Sequence, residues 1–121
     1  MQKVNKRQEK TAANRRGVRA AAARLDAMIA EATVDCYNES EMATGLYTML
    51  EEHLALPFQT TVLGVDVTVE SVDLNEANDI VAVCRRGRSQ QRILIEDIPL
   101  PRPAPRGAEW IDAWRRWIRG R

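Results

Sequence analysis

Between positions 31 and 41 the chain sets four carboxylates and one carboxamide close together: Glu31, Asp35, Asn38, Glu39 and Glu41. Every one of these side chains offers hard oxygen, the donor that Ca²⁺ prefers and of which it takes about six to eight. Sulfur and imidazole chemistry has no comparable set. Cys36 and Cys84 form no CxxC and no Cys/His cluster with His53, so a zinc or redox centre lacks both ligands and spacing, and each cysteine reads as a buried free thiol. No twelve-residue EF-hand loop with its central Gly and terminal Glu occurs. Asn75 to Asp79 has the composition of a cation loop, but Asn- and Asp-rich segments are ordinarily turns. Two carboxylates could also serve as general acid and base, which needs a cleft and tuned pKa values. Nothing in the sequence provides these, so the chain is not expected to be an enzyme.

The elements that must position these oxygens follow from periodicity. Leu25, Met28, Ile29, Ala32 and Cys36 make the stripe of an amphipathic helix, with Glu31 and Asp35 together at its edge. These two acids are like-charge i,i+4 neighbours, and Asp35 sits near a helix C-terminus, where the macrodipole disfavours it. Something cationic is expected to offset them: an ion, or arginines from elsewhere in the fold. A break follows at Tyr37–Glu41. There Asn38 with Glu41 reads as a capping box starting a second helix, whose stripe is Met42, Leu46, Met49, Leu50 and Leu54. Glu39 stands two turns before Leu46 and is expected to project along the same inward side. Gly45 inside this helix reads either as a close approach of backbone or a bulky side chain such as Trp, or equally as a tolerated weakness. His53 falls in the apolar stripe and reads as a satisfied or half-buried core residue.

From Gln59 the period becomes two. Val65, Val67 and Val69 alternate with Asp66, Thr68 and Glu70, then Val72 and Leu74 resume out of phase, so a bulge near Ser71 is expected. Strands IVAVC at 80–84 and QRILIE at 91–96 follow, separated by the basic turn RRGRSQ. The proline-rich stretch 99–107 is an extended strap. AEWIDAWRRWIRGR carries Trp110, Ile111, Trp114, Trp117 and Ile118 on one helical stripe ringed by arginine. The expected fold is α+β: a basic stretch over 1–18 that is a flexible tail or the solvated start of a helix, then one domain over 19–121. That domain comprises a helical hairpin (19–56), a small SH3-like antiparallel β-barrel (59–98), the strap (99–107) and a C-terminal Trp-rich helix (108–119) that docks on the body.

Charge is segregated. Lys and Arg number 8 in residues 1–25, none in 26–84 and 10 in 85–121, whereas Asp and Glu number 12 in 26–84. That acidic middle argues against a continuous phosphate footprint, although Arg85, Arg86, Arg88 and Arg92 could serve a nucleic-acid or protein partner without any metal. The C-terminal helix is a second candidate surface for a protein partner. No apolar run reaches transmembrane length and no hydrophobic signal core is present. A cytoplasmic monomer or weak dimer, with no membrane contact and nucleic acid unfavoured, is the expectation.

The run Asp35-Cys36-Tyr37-Asn38-Glu39-Ser40-Glu41, with Gly45-Leu46-Tyr47, Leu50-Glu51-Glu52 and the Pro57-Phe58 exit, resembles the small bacterial calcium-binding family typified by CcbP. ILIEDIPLP and PRGAEWIDAWRRW extend the similarity. The resemblance implies a non-EF-hand Ca²⁺ buffer or sensor, with N-terminal helices packed on a small β-barrel. Carried over, it makes Asp35, Glu39 and Glu41 the best ligands, with Glu31 and Asn38 completing the oxygen set.

Overall fold

In the computed structural model residues 6–121 are described, with side chains from Thr11 onward. Helix α1 runs from Lys6 to Ala32. Of the two readings of the basic start over 1–18, a flexible tail or the solvated start of a helix, residues 6–18 take the second; residues 1–5 lie outside the described residues. The physical reason is propagation. Leu25, Met28, Ile29 and Ala32 pack on the core and pin the C-terminal half. The Ala-rich, Lys/Arg-rich stretch before them then extends the helix at small cost per residue, even through Gly17.

Helix α2 spans Glu39–His53 and buries Ala43, Leu46 and Leu50. Its crossing with α1 depends on Gly45. A Cβ there would collide with the backbone carbonyl of Ala32, so of the two readings of the glycine the close approach is the real one, and the neighbour is backbone. His53 is exposed and stacks on Trp110, ring centroids 5.8 Å apart. The expectation of a core histidine is corrected accordingly: it covers the indole from outside.

Four antiparallel strands follow: β1 Phe58–Val62, β2 Val65–Leu74, β3 Ile80–Arg86 and β4 Ser89–Leu94. They form a meander in the order β1-β2-β3-β4. The β1–β2 turn uses Leu63 (φ 50) and Gly64 (φ 75), two left-handed residues that match the twist of a tight hairpin. Val69 pairs with Cys84 but Ser71 with Val83, so one extra residue is inserted at Glu70. The bulge expected near Ser71 is thus present, and it brings both Val69 and Val72 inside. β1 and β4 remain the two edges of the sheet, so the β-module curls without closing.

After β4 comes a short 3₁₀ turn at Ile95–Asp97, then the strap, then helix α3, Glu109–Arg119. Gly107 (φ 85) lies against the His53 carbonyl, where any Cβ would clash. α3 inserts Ile111, Ala113 and Trp114 into the core beside Leu46, Leu50, Ile95 and Ile98, and leaves Trp117 and Ile118 partly covered. The expected docking of this helix on its own chain is what the structure shows. Its arginines fasten it. Arg115 donates to the Glu96 and Ile98 carbonyls, Arg116 forms a two-point pair with Asp26 of α1, and Arg121 reaches Asp79 at 2.9 Å. None of the described helices is long and apolar enough to cross a membrane.

Candidate metal centre

The break between α1 and α2 is built by local hydrogen bonding. Thr33 closes the last turn of α1, its Oγ1 donating to the Ile29 carbonyl at 2.7 Å. The chain reverses through Asp35, which takes a left-handed backbone (φ 61). Asp and Asn are the residues, after Gly, that tolerate this conformation best. Cys36 turns inward and its thiol donates to the Glu41 carbonyl. Asn38 then caps α2: its Oδ1 accepts from the Glu41 amide at 2.9 Å, while Glu41 Oε2 accepts from the Tyr37 amide at 2.7 Å. The expected capping box is formed, with the carboxylate reaching one residue further back than the usual partner.

Of the five candidate ligands, the structure thus places Asn38 and Glu41 in direct mutual contact through the cap. Asp35 lies just before them and Glu39 is the first residue of α2, both exposed; Glu31 is exposed on the last turn of α1. The inward projection expected of Glu39 is corrected. It lies at the mouth of a groove of about 1050 Å³ between α1 and α3, beside Leu25, Met42 and Arg121, because as the first helical residue its side chain clears the core. Among the described residues no three His, Cys, Asp or Glu side chains gather around one point. The donor type fits a hard cation. In this conformation, however, one oxygen of Glu41 and the Asn38 oxygen already accept backbone amides.

Asp66 and Glu70 of β2, which could have completed a shell, are engaged elsewhere. Asp66 accepts from Thr61 Oγ1 at 2.9 Å, and Glu70 pairs with Arg85 at 2.6 Å. Asn75 to Asp79 is a turn: Asn75 Oδ1 accepts from the Ala77 and Asp79 amides, and Asn78 is left-handed at φ 62. One contact was not legible in the sequence. Ser40 Oγ meets Asn78 Oδ1 at 3.4 Å, tying the start of α2 to this loop 38 residues away. Neither residue belongs to a periodic stripe, so no local pattern announces the meeting.

The arginines bypass the break. The ion pairs of the described residues join Arg85 to Glu70, Arg92 to Asp73, Arg115 to Asp112, Arg116 to Asp26 and Arg121 to Asp79. None reaches Glu31, Asp35, Glu39 or Glu41. The same pairs partly neutralise the basic strand surface that an anionic partner would use, leaving Arg86 and Arg88 of that set exposed and unpaired among the described residues. Of the two cysteines, Cys84 is buried and burial pushes its thiol pKa up, while Cys36 is half-buried; both are free.

With this geometry in hand, comparison with known proteins gives two matches. A family model, CcbP, described as calcium binding, matches residues 26–118. A solved structure described as a calcium binding protein in the calcium-binding form superposes with a TM-score of 0.62 at 19% identity, covering 79% of this chain and 90% of that one. Among curated proteins no sequence matches. The family match spans most of the chain, which therefore belongs to the CcbP family of calcium-binding proteins.

Proposed function

From that membership we propose that this chain binds Ca²⁺ at the α1–α2 break and acts as a non-EF-hand buffer or sensor. Asp35, Glu39 and Glu41 are the principal ligands, with Glu31 and Asn38 supplying further oxygens. The observation that carries the reading is the distribution of ion pairs: five arginines pair with other carboxylates and leave the four at the break to one another. No arginine of the described residues offsets them, and a divalent cation that draws them together supplies the missing opposite charge. Tyr37 and Asn38 backbone oxygens and water can fill the remaining positions that Ca²⁺ requires. The carboxylates must draw together to do so, which links ion binding to the shape of the break and gives a sensor its signal.

Calorimetric titration with Ca²⁺ tests the reading, paired with thermal melting of wild type and Asp35→Asn/Glu39→Gln. Wild type should bind and gain about 2.7 kcal/mol of stability when Ca²⁺ stands at about a hundred times its Kd; the double variant should lose most of both. Absence of heat and of any thermal shift at millimolar Ca²⁺ would sink the proposal. Equal binding by the variant would move the site away from the break.

A further inference from the structure

Helix α1 begins at Lys6, whereas the family match begins at residue 26, and the added stretch is strongly basic. Residues 6–24 hold Lys6, Arg7, Lys10, Arg15, Arg16, Arg19 and Arg24 against one acid, Glu9. The acidic middle of the chain is the objection to a phosphate-binding face, and the path of the helix removes it. Counted at about 100° per residue from Arg15, Val18, Leu25 and Ile29 fall at about 280–320°, and these residues line the groove against α3. Arg15, Arg19, Arg16 and Arg24 fall at about 0°, 40°, 100° and 180°, a fan centred on the side away from the body, with Arg24 at the groove's rim. All four are exposed. No ion pair of the described residues reaches them; Arg19 Nε donates only to the Arg15 carbonyl one turn back, at 3.4 Å. Residues 6–17 come before the groove, and twelve residues of helix reach about 18 Å.

The chemistry of this surface selects its partner. It has no apolar stripe with which to enter a lipid interface. Between the arginines stand only Ala12, Ala13, Ala20 and Ala23, at about 60°, 160°, 140° and 80° on the same count, so the fan is cationic at its flanks and slender between them. The major groove of B-DNA, about 12 Å wide, admits one α-helix and sets a wall of phosphates on either side of it. We propose that the Arg15–Arg24 face of α1 docks double-stranded DNA by lying in the major groove, with Arg15 and Arg19 toward one phosphate wall and Arg24 toward the other. The affinity comes from phosphate contacts and released counterions, so it is independent of base sequence and steep in salt. Glu31, on the same side of the helix, lies about 10 Å beyond Arg24 at 1.5 Å per residue, past the end of this footprint.

Fluorescence anisotropy of a labelled 20-base-pair DNA duplex titrated with the full chain tests this, in EDTA so that the outcome does not depend on the calcium reading. Binding is expected at 50 mM salt and should weaken about a hundredfold by 200 mM, the dependence of about four phosphate contacts. Arg15→Gln/Arg16→Gln/Arg19→Gln should weaken binding at least tenfold and lower the slope of log K against log salt by about 3, with helical circular dichroism unchanged because these positions are exposed. Arg86→Gln/Arg88→Gln, on the turn between β3 and β4, should bind like wild type. No binding at 50 mM salt overturns the proposal, as does a loss caused by the Arg86/Arg88 variant and not by the α1 variant. Equal affinity for an RNA duplex, whose major groove is too narrow for a helix, or for polyglutamate, overturns it as well.

Discussion

The break between α1 and α2 and the seam between α1 and α3 both set carboxylates of α1 beside another helix, and they treat them in opposite ways. At the seam, Asp26 receives two hydrogen bonds from Arg116, at 2.6 and 3.0 Å. At the break, Glu31, Asp35, Glu39 and Glu41 receive none from any arginine of the described residues. The difference lies in what each helix brings. α3 carries its arginines on the flanks of a tryptophan stripe, so burying the stripe delivers Arg116 to Asp26 and, just past the helix end, Arg121 to Asp79. α2 brings only more acid. A seam joined by hydrophobic burial is fastened by cations; the turn is held by caps and its carboxylates meet no arginine among the described residues.

Four perturbations separate the two regions, beginning with the most damaging. Trp114 is fully buried at the centre of the seam, and Trp114→Ala should cost about 3–5 kcal/mol, read as a fall in the urea midpoint. Gly45→Val strikes the break instead, forcing the α1–α2 crossing apart against the Ala32 carbonyl. It should destabilise by about 1–3 kcal/mol and also blunt the thermal response to Ca²⁺, whereas Trp114→Ala should lower the melting point in both its presence and its absence. Asp35→Gly is the sharper instrument. Glycine accepts the left-handed backbone at φ 61 without penalty, so calorimetric affinity should fall while the metal-free melting point holds or rises slightly. The smallest effect belongs to Asp26→Asn. The Arg116 hydrogen bond holds the Asp26 carboxyl below its usual range. Stability from this pair is therefore complete above the unfolded pKa and lost as pH falls through the lowered one. In acid titrations of stability the variant should lack that component and match wild type at the bottom of the range.

A further titration tests packing next to the break. Burial, followed by the hydrogen bond and charge of Glu51, pushes the Tyr47 hydroxyl up to about 12. Its contribution is thus full below about pH 10, the ordinary tyrosine value, and fades as pH rises through about 12. Absorbance at 295 nm should show one tyrosine ionising late in the folded chain, and Glu51→Gln should bring it earlier.

Much of this division could be read in the sequence, and the reasons are physical. The stripes of α2 and α3, the capping box at Asn38 and Glu41, the bulge beside Ser71 and the tight crossing at Gly45 are all encoded within a few residues of where they act. What sequence could not place was decided at long range. Which arginine meets which acid depends on how α3 lands, and nothing near Asp26 announces Arg116. The inward aim of Glu39 failed because periodicity gives a direction round the helix and says little about depth at its end. The basic start of the chain read equally as a tail or the solvated start of a helix because its residues show no buried face, and helix formation there needs only a packed continuation.

The seam also fixes when this molecule can finish folding. Asp26 and Arg116 are 90 residues apart, so α1 finds its tryptophan-bearing partner only after all the intervening chain has been made. At ribosomal rates of about 5–20 residues per second, roughly 5–20 s separate the emergence of the two. During that interval Leu25 and Ile29 have no α3 to cover them, while the break, built from contacts between near neighbours, can form as soon as α2 appears. A nascent chain would thus own its acidic turn before it owns its core.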